Sequence, residues 1–212
     1  MSSINIKIAN PRDLSVVNEF LADNFHNKEP MESSHIDKSD KMTPDNEFLS
    51  SCIDCDTTLM AYEGDKLCAV LISGEIQADE AKRNLESAAK FETRKFSDIL
   101  RLLSYVDAKA DYCNRLKISR CLHIHIVSVH ANFQGRGIAG QLINFCIENG
   151  RKMNFPAVSV DCSNYFTEKI VKKLKMTRVS SVTYDEVNDK LGETRFIPRE
   201  PHMVINSYAK VF

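Results

Sequence analysis

Residues 134 to 140 read Gln-Gly-Arg-Gly-Ile-Ala-Gly, three glycines in seven positions, set between an apolar alternating run and an amphipathic one. With no Cβ atoms to fend off a ligand, the backbone of such a loop can approach it closely. The unpaired N–H groups of a following helix's first turn, with the positive end of its dipole, then favour a phosphate. The P-loop is excluded, since it ends in Gly-Lys-Ser/Thr and this loop continues Ala139-Gly140-Gln141. Gly135, Gly137 and Gly140 do match the dinucleotide spacing G-x-G-x-x-G, but that fingerprint follows the first strand of a parallel sheet, and this loop comes well into the chain. Two readings of Q-x-x-G-x-A ahead of a helix remain, an anion-holding loop and a plain turn.

Other residues able to do chemistry cluster around this loop in sequence. His123 and His125 alternate with apolar neighbours in a strand-like run, so both side chains share one face, which is also what core histidines would do. An H-x-H pair can also ligate a metal, but no third ligand is evident and none is expected. Ser163 and Thr167, four apart, fall on one face of a helix, where they can reach a reacting group or act as caps. Cys52 and Cys55 form a C-x-x-C with no second pair and no nearby His, which suits structural thiols. Cys162, at a strand end without a neighbouring base, is a poor nucleophile candidate.

The elements that must position these groups follow from periodicity. Ile4 to Ile8 alternates as a strand, Asn10-Pro11 offers an N-cap and a first-turn proline, and a helix runs to about Asn24. The stretch 25–41 is polar without a clear period, and Thr43-Pro44 opens a helix through about Cys55. Runs 57–62 and 66–76 flank Glu63-Gly64-Asp65 as an antiparallel hairpin. Residues 79–115 read as helical and amphipathic, 121–129 as a strand, the segment after the glycine loop as a helix to about Asn149, 157–161 as a strand and 165–174 as a helix. Strands at 178–187 and 202–211 close the pattern, which is that of one mixed α/β domain over 1–212.

Composition narrows the function classes. The chain carries 28 basic and 29 acidic residues, so no global field gathers nucleic acid or anionic lipid, and any bound anion must be held locally. No signal-like segment opens the sequence and no run of 18 apolar residues occurs, which predicts a cytosolic protein without a membrane span. Seven cysteines, an odd number, several of them within apolar runs, suit reduced and buried thiols. No nucleic-acid or membrane partner is expected, and a monomer is.

The flanks of the loop carry a resemblance. Q-x-x-G-x-A before a helix resembles the acetyl-CoA loop of the GNAT acetyltransferases. The run from His123 to Gly137, with Val129-His130 and Phe133, is similar to the same region of vertebrate serotonin N-acetyltransferase. Glu29-Pro30-Met31 resembles the E-P-L segment of insect dopamine and arylalkylamine N-acetyltransferases, Cys162 to Thr167 resembles their segment after the fifth strand, and Pro201-His202-Met203 looks like their final strand.

This resemblance implies a GNAT fold, α/β (α+β), with a mixed central sheet of about seven strands flanked by helices. It also implies acetyl-CoA as cosubstrate and direct acetyl transfer to the primary amine of a small arylalkylamine such as dopamine, tyramine or serotonin. The roles it suggests are Glu29 as general base, His123 and His125 beside a water-filled proton path, and Ser163, more than Thr167, near the thiolate or amine. Backbone of Val127, Ser128 and Val129 would meet the acetyl oxygen and the pantetheine arm. Backbone of Gln134, Gly135, Arg136, Gly137, Ile138, Ala139 and Gly140 would hold the pyrophosphate. Two departures stand out: Lys175-Met176 replaces a common Gly-Phe, which would reshape the floor of the acceptor site, and Val171 stands where the vertebrate enzyme has a tyrosine proposed as general acid. Acetylation of a polyamine or protein amine, and a CoA-binding domain without turnover, are the competing readings. Acceptor choice would rest on segments 25–42, 77–95 and 186–197.

Overall fold

The computed structural model describes residues 3–91 and 93–212. In chain order it comprises β1 (Ile4–Ile8), α1 (Leu14–Asn24), α2 (Pro30–Ser34), α3 (Asn46–Asp54), β2 (Leu59–Glu63), β3 (Lys66–Ile76), α4 (Glu80–Ala88), α5 (Arg94–Ala110) and α6 (Tyr112–Leu116). The second half adds β4 (Cys121–Val129), α7 (Ile138–Lys152), β5 (Ala157–Cys162), α8 (Tyr165–Lys173), β6 (Thr177–Thr183), α9 (Tyr184–Leu191) and β7 (Val204–Val211). All the strands join one seven-stranded sheet in the order β1-β2-β3-β4-β5-β7-β6. Every pairing is antiparallel except β4 with β5, so the sheet is mixed, as predicted.

Strand alternation sorts the side chains into layers. Leu59, Ala61 and Leu71 point to the face covered by α7, with Leu142, Ile143, Cys146 and Ile147, while Met60, Val70 and Ile72 point to the face covered by α1 and α3, with Val17, Leu21, Leu49 and Ile53. A Cβ on Gly150 of α7 would lie 2.9 Å from Val158 and 3.0 Å from Leu122, so this glycine sets how closely the helix lies on β4 and β5. A third cluster packs α5 and α9 against β6 and β7 through Leu102, Val106, Val182, Tyr184 and Ile205. Among the described residues no helix is long and apolar enough to cross a membrane.

The structure departs from the sequence reading where local capping overrides periodicity. The predicted 79–115 helix is three helices: α4 ends at Ala88, and Asp111 adopts a left-handed conformation that closes α5, as Lys117 does for α6 just past the predicted end; residue 92, inside that span, lies outside the described residues. The predicted 178–187 strand stops at Thr183, whose hydroxyl accepts from the Glu186 amide in a capping box that starts α9. The helix expected from Thr43-Pro44 begins later, capped by Asp45, whose carboxylate accepts from the Glu47 and Phe48 amides. The 25–41 stretch, read as lacking a period, holds the short helix α2 with Glu29 as N-cap and Pro30 at its first position.

The Lys175-Met176 departure lies away from the site it was expected to reshape. Met176 N donates to Val171 O at 3.1 Å and Lys175 N to Lys172 O at 3.0 Å, the paired bonds that close a helix with a left-handed residue, here Lys175 at φ 57°. Met176 and Val171 are both buried in the α7-side core, and neither residue of the Lys175-Met176 pair lines the large cavity described below. Glycine suits such a position because an L side chain there costs about 1–2 kcal/mol. Lys175→Gly is therefore expected to stabilise the fold by about 0.5–1 kcal/mol once the added freedom of the unfolded chain is subtracted. Urea denaturation checks this, and an unchanged or lower midpoint would show that Lys175 bears no such strain.

Candidate active site

The centre of the sheet comes apart at one point. β4 and β5 are paired only from Leu122 with Val158 to Ile124 with Val160. Beyond that, β4 continues to Val129 against β3 alone, with His125 as an extra residue between the paired Ile124 and Ile126. Among the described strands, none pairs with the other edge of Ile126 to Val129, so backbone groups there face the gap. Bulges of this kind re-aim side chains and end pairing.

β4 and β5 run in parallel, so the helices that follow them, α7 and α8, both begin at the end where the strands part. The loop into α7 turns through left-handed glycines, Gly135 at φ 76° and Gly137 at φ 77°. Gly137 occupies the N-cap position of α7 and supplies no side-chain acceptor, so the first-turn N–H groups carry no cap from it. Gly140 serves packing, its Cβ position lying 3.6 Å from Ile170 of α8. Gln134 Nε2 donates to Val129 O at 3.3 Å and ties the loop to the strand end. The Arg136 guanidinium pairs with Glu63 at 2.5 Å and sits over the Phe133 ring. Ser128 turns its side chain away, donating to Asn24 O at 3.2 Å, so only its backbone faces this region.

A cavity of about 780 Å³ lies beside the opening. Phe48, Phe91, Phe96, Leu100 and Leu103 from α3, α5 and the segment before α5 form much of its apolar wall. The rest of the lining includes His123 to Val127 of β4, whose His125 ring meets Phe48, and residues 160 to 164 at the end of β5, with Thr167 a turn into α8. Of the three segments expected to shape the acceptor site, 25–42 and 77–95 line it and 186–197 does not.

Glu29 stands on the cavity wall yet is only 8% exposed. One carboxylate oxygen accepts from the Ser163 hydroxyl at 2.5 Å and the other from the Glu32 amide at 2.9 Å. Burial pushes its pKa up to about 7, against the opposing effect of the donated hydrogen bonds. Ser163 is thus a partner of Glu29, and of its two sequence readings the cap falls instead to Asn164, which accepts from the Phe166 amide at 2.8 Å.

His123 and His125 stand together, ring centroids 4.9 Å apart. His123 Nδ1 meets Ser159 Oγ at 2.9 Å, its Nε2 lies 3.7 Å from Asp161, and Tyr112 donates to the same carboxylate at 2.8 Å. Burial pushes His123 down to about 4 and His125 to about 3, so both imidazoles are neutral at pH 7. Burial also raises the pKa of Asp161, of Asp107 on α5, which Asn84 donates to at 2.7 Å, and of Glu80 on α4. The sequence reading missed these three carboxylates, although Asp161 falls on the same strand face as Ser159, a period-two signal that was available. The thiols of Cys52, Cys121 and Cys146 are pushed up to about 12 by burial, and that of Cys162 is raised as well, so none of them is a ready thiolate.

A carboxyl poised near neutrality, neutral imidazoles, an open strand edge and a capless helix start together suit proton removal from a substrate bound beside an extended, phosphate-bearing partner. Residues 27–170 match the model of the acetyltransferase (GNAT) family. The chain belongs to this family. It is accordingly an acetyl-CoA-dependent N-acetyltransferase. Among solved structures it is similar to a mosquito arylalkylamine N-acetyltransferase-like protein, 5b, at 29% identity and a TM-score of 0.92 over 99% of this chain and 100% of that one. A polyamine N-acetyltransferase of Drosophila melanogaster that forms N-acetylagmatine aligns at 25% identity, TM-score 0.90, over 99% and 100%. Arylalkylamine N-acetyltransferase 2 of Aedes aegypti, at 20% identity and TM-score 0.88 over 99% of each chain, shares the fold.

The raised pKa of Glu29 has a cost in stability with a definite sign. Between about pH 4.5 and 7 the unfolded chain ionises this group and the folded chain does not, so stability falls as pH rises through that window. Glu29→Gln removes the ionisation, and the variant is expected to exceed the parent by about 1–3 kcal/mol at pH 8 while nearly matching it at pH 4.5. Urea unfolding at the two pH values reads this directly, and a variant equally or less stable at pH 8 would show that Glu29 ionises freely.

Proposed function

We propose that this enzyme acetylates the primary amine of a small arylalkylamine, of the dopamine, tyramine or serotonin kind, by direct attack in a ternary complex. Residues 1–212 act in this reading as one catalytic domain, a monomer working in the cytosol. The observation that carries the proposal is the buried Glu29 carboxyl, held by Ser163 on the wall of an aromatic-lined cavity. An arylalkylamine arrives as an ammonium ion and must lose a proton before its lone pair can attack. Glu29, with a pKa near 7, takes that proton directly or through one water. His123 and His125, neutral and in ring contact, pass it along the cavity wall toward Asp161.

The amine nitrogen then bonds to the acetyl carbon. The tetrahedral oxyanion is met by backbone N–H at the open edge of β4, from Val127 to Val129, alongside the pantetheine arm. The carbon–sulfur bond breaks, the nitrogen gives up its second proton to leave the neutral amide, and that proton passes to the departing thiolate beside the Ser163 and Thr167 hydroxyls. The tyrosine suggested for this step elsewhere is replaced by Val171, which is fully buried in the core. Amides of the Gln134–Gly140 loop hold the pyrophosphate at the start of α7. The thiol elevation at Cys162 supports direct transfer without an acetyl-cysteine intermediate.

A second acceptor class has its own observation. Glu80, Asp107 and Asp161 line the same cavity, and a second cationic group on a diamine would meet them there. Thiol release from acetyl-CoA, measured against dopamine, tyramine, serotonin, histamine, agmatine and spermidine, ranks the two. The proposal expects kcat/KM for an aromatic monoamine to exceed that for agmatine and spermidine at least tenfold. The reverse order would assign the enzyme to polyamines, and a CoA-induced thermal shift with no turnover on any amine would overturn both readings.

A further inference from the structure

Glu29 is held on a loop whose closure depends on a second buried carboxylate. Glu32 is 4% exposed, and its two oxygens are both engaged: one meets His26 Nδ1 at 2.8 Å, the other accepts from the Asn27 amide at 2.5 Å. Its own amide donates to the Glu29 carboxylate at 2.9 Å. A single residue thus closes the turn from 26 to 32 through its side chain and grips Glu29 through its backbone. Asn27 sits in the left-handed region, φ 63°, and its side chain bonds both backbone groups of Met42, so the same closure fixes the next wall of the cavity.

We infer that Glu32, anchored by His26, is a positioning residue that holds the Glu29 carboxyl in place and, through its charge, adds to what keeps it protonated. The inference rests on the reading of Glu29 as the base. Burial is the main reason Glu29 stays protonated; the Glu32 carboxylate beside it acts in the same direction, more weakly, while the hydrogen bond from the Glu32 amide acts against it. Other groups bear on Glu29 too: Ser163 at the start of α8 donates to it, and the Tyr184 hydroxyl of α9 is neutral and buried. Across the cavity stand Asp45 and Glu47 near the start of α3, Glu80 and Arg83 of α4, Lys90, Asp107 of α5, His123 and His125 of β4 and Asp161 of β5, with Lys28 on the loop itself. None of these is bonded to both Glu29 and the loop that carries it, as Glu32 is.

The test separates charge from reach. Carbon-13 NMR of glutamate-labelled protein follows the Glu29 carboxyl through pH, the signal being identified by its loss in Glu29→Gln. Glu32→Gln keeps the shape and the backbone bond and removes the charge, so the Glu29 midpoint is expected to fall. Glu32→Asp keeps the charge but cannot span His26 and Asn27, so the midpoint should stay near neutrality while kcat for the best amine falls about tenfold and KM for acetyl-CoA stays within twofold. In the Glu29→Gln background neither change should lower kcat further. Unaltered midpoint and kcat in both single variants would overturn the inference. Because the titration reads Glu29 itself, it decides the role of Glu32 whether or not a good acceptor is in hand, and Glu32→Asp serves if Glu32→Gln does not fold. Wild-type turnover in Glu29→Gln would instead bring down the assignment of the base, a result distinct from failure of the Glu32 variants.

Discussion

The site depends on a parallel pairing that is cut short. Two parallel strands hydrogen-bonded along their whole length would present no free backbone and no space between their ends. Here β4 and β5 part after Ile124 and Val160, with the bulge at His125 marking the break. Three consequences follow from that one irregularity. The remaining length of β4 keeps an open edge toward which an extended ligand arm can pair, α7 and α8 both begin at the end toward which these parallel strands run, and the cavity has room to form. Gly150 lets the C-terminal end of α7 lie close on Leu122 of β4 and Val158 of β5, the strands whose parting opens the site.

Into this frame the chain sets a carboxyl that is costly to bury. α2 spans five residues, too few to hold together on helical propensity, and its start is fixed by Glu29 as cap, Pro30 in the first turn and the Glu32 bonds back to His26 and Asn27. The Ser163 hydroxyl arrives from the far end of β5 to complete the carboxylate's partners. Stability given up by burying Glu29 is what gives it a proton affinity suited to neutral pH, a trade common at functional sites. The histidines make the complementary choice, remaining neutral because burial disfavours their charge.

Much of this was legible in the sequence where one local signal dominated. The run 121–129 matches β4, and the alternation of His123 and His125 correctly set both rings on one wall. The glycine pattern located the loop, and the left-handed angles at Gly135 and Gly137 explain two of its three glycines. Elements set by local caps and turns were harder to read: the Thr183–Glu186 capping box ended an expected strand early and started α9, and the left-handed backbone at Asp111 divided an expected long helix. Long-range partners left no sequence signal at all. Neither the approach of Ser163 to Glu29 nor the gathering of Asp107 and Asp161 from α5 and β5 can be read from spacing, since only the sheet order brings them together. Lys175 shows the opposite case, a visible departure whose effect falls on the end of a helix and not on the cavity.

The most direct test of the account is the pH dependence of kcat/KM for the parent enzyme and for Glu29→Gln, measured with an accepted amine from pH 5.5 to 9. The account predicts that the parent rises with unit slope below about 7 and levels above it, and that the variant lacks this limb and is slower by about 100-fold or more at pH 8. A variant that keeps both the limb and the rate would contradict it, and the proton would then have to leave by a path that does not pass through Glu29.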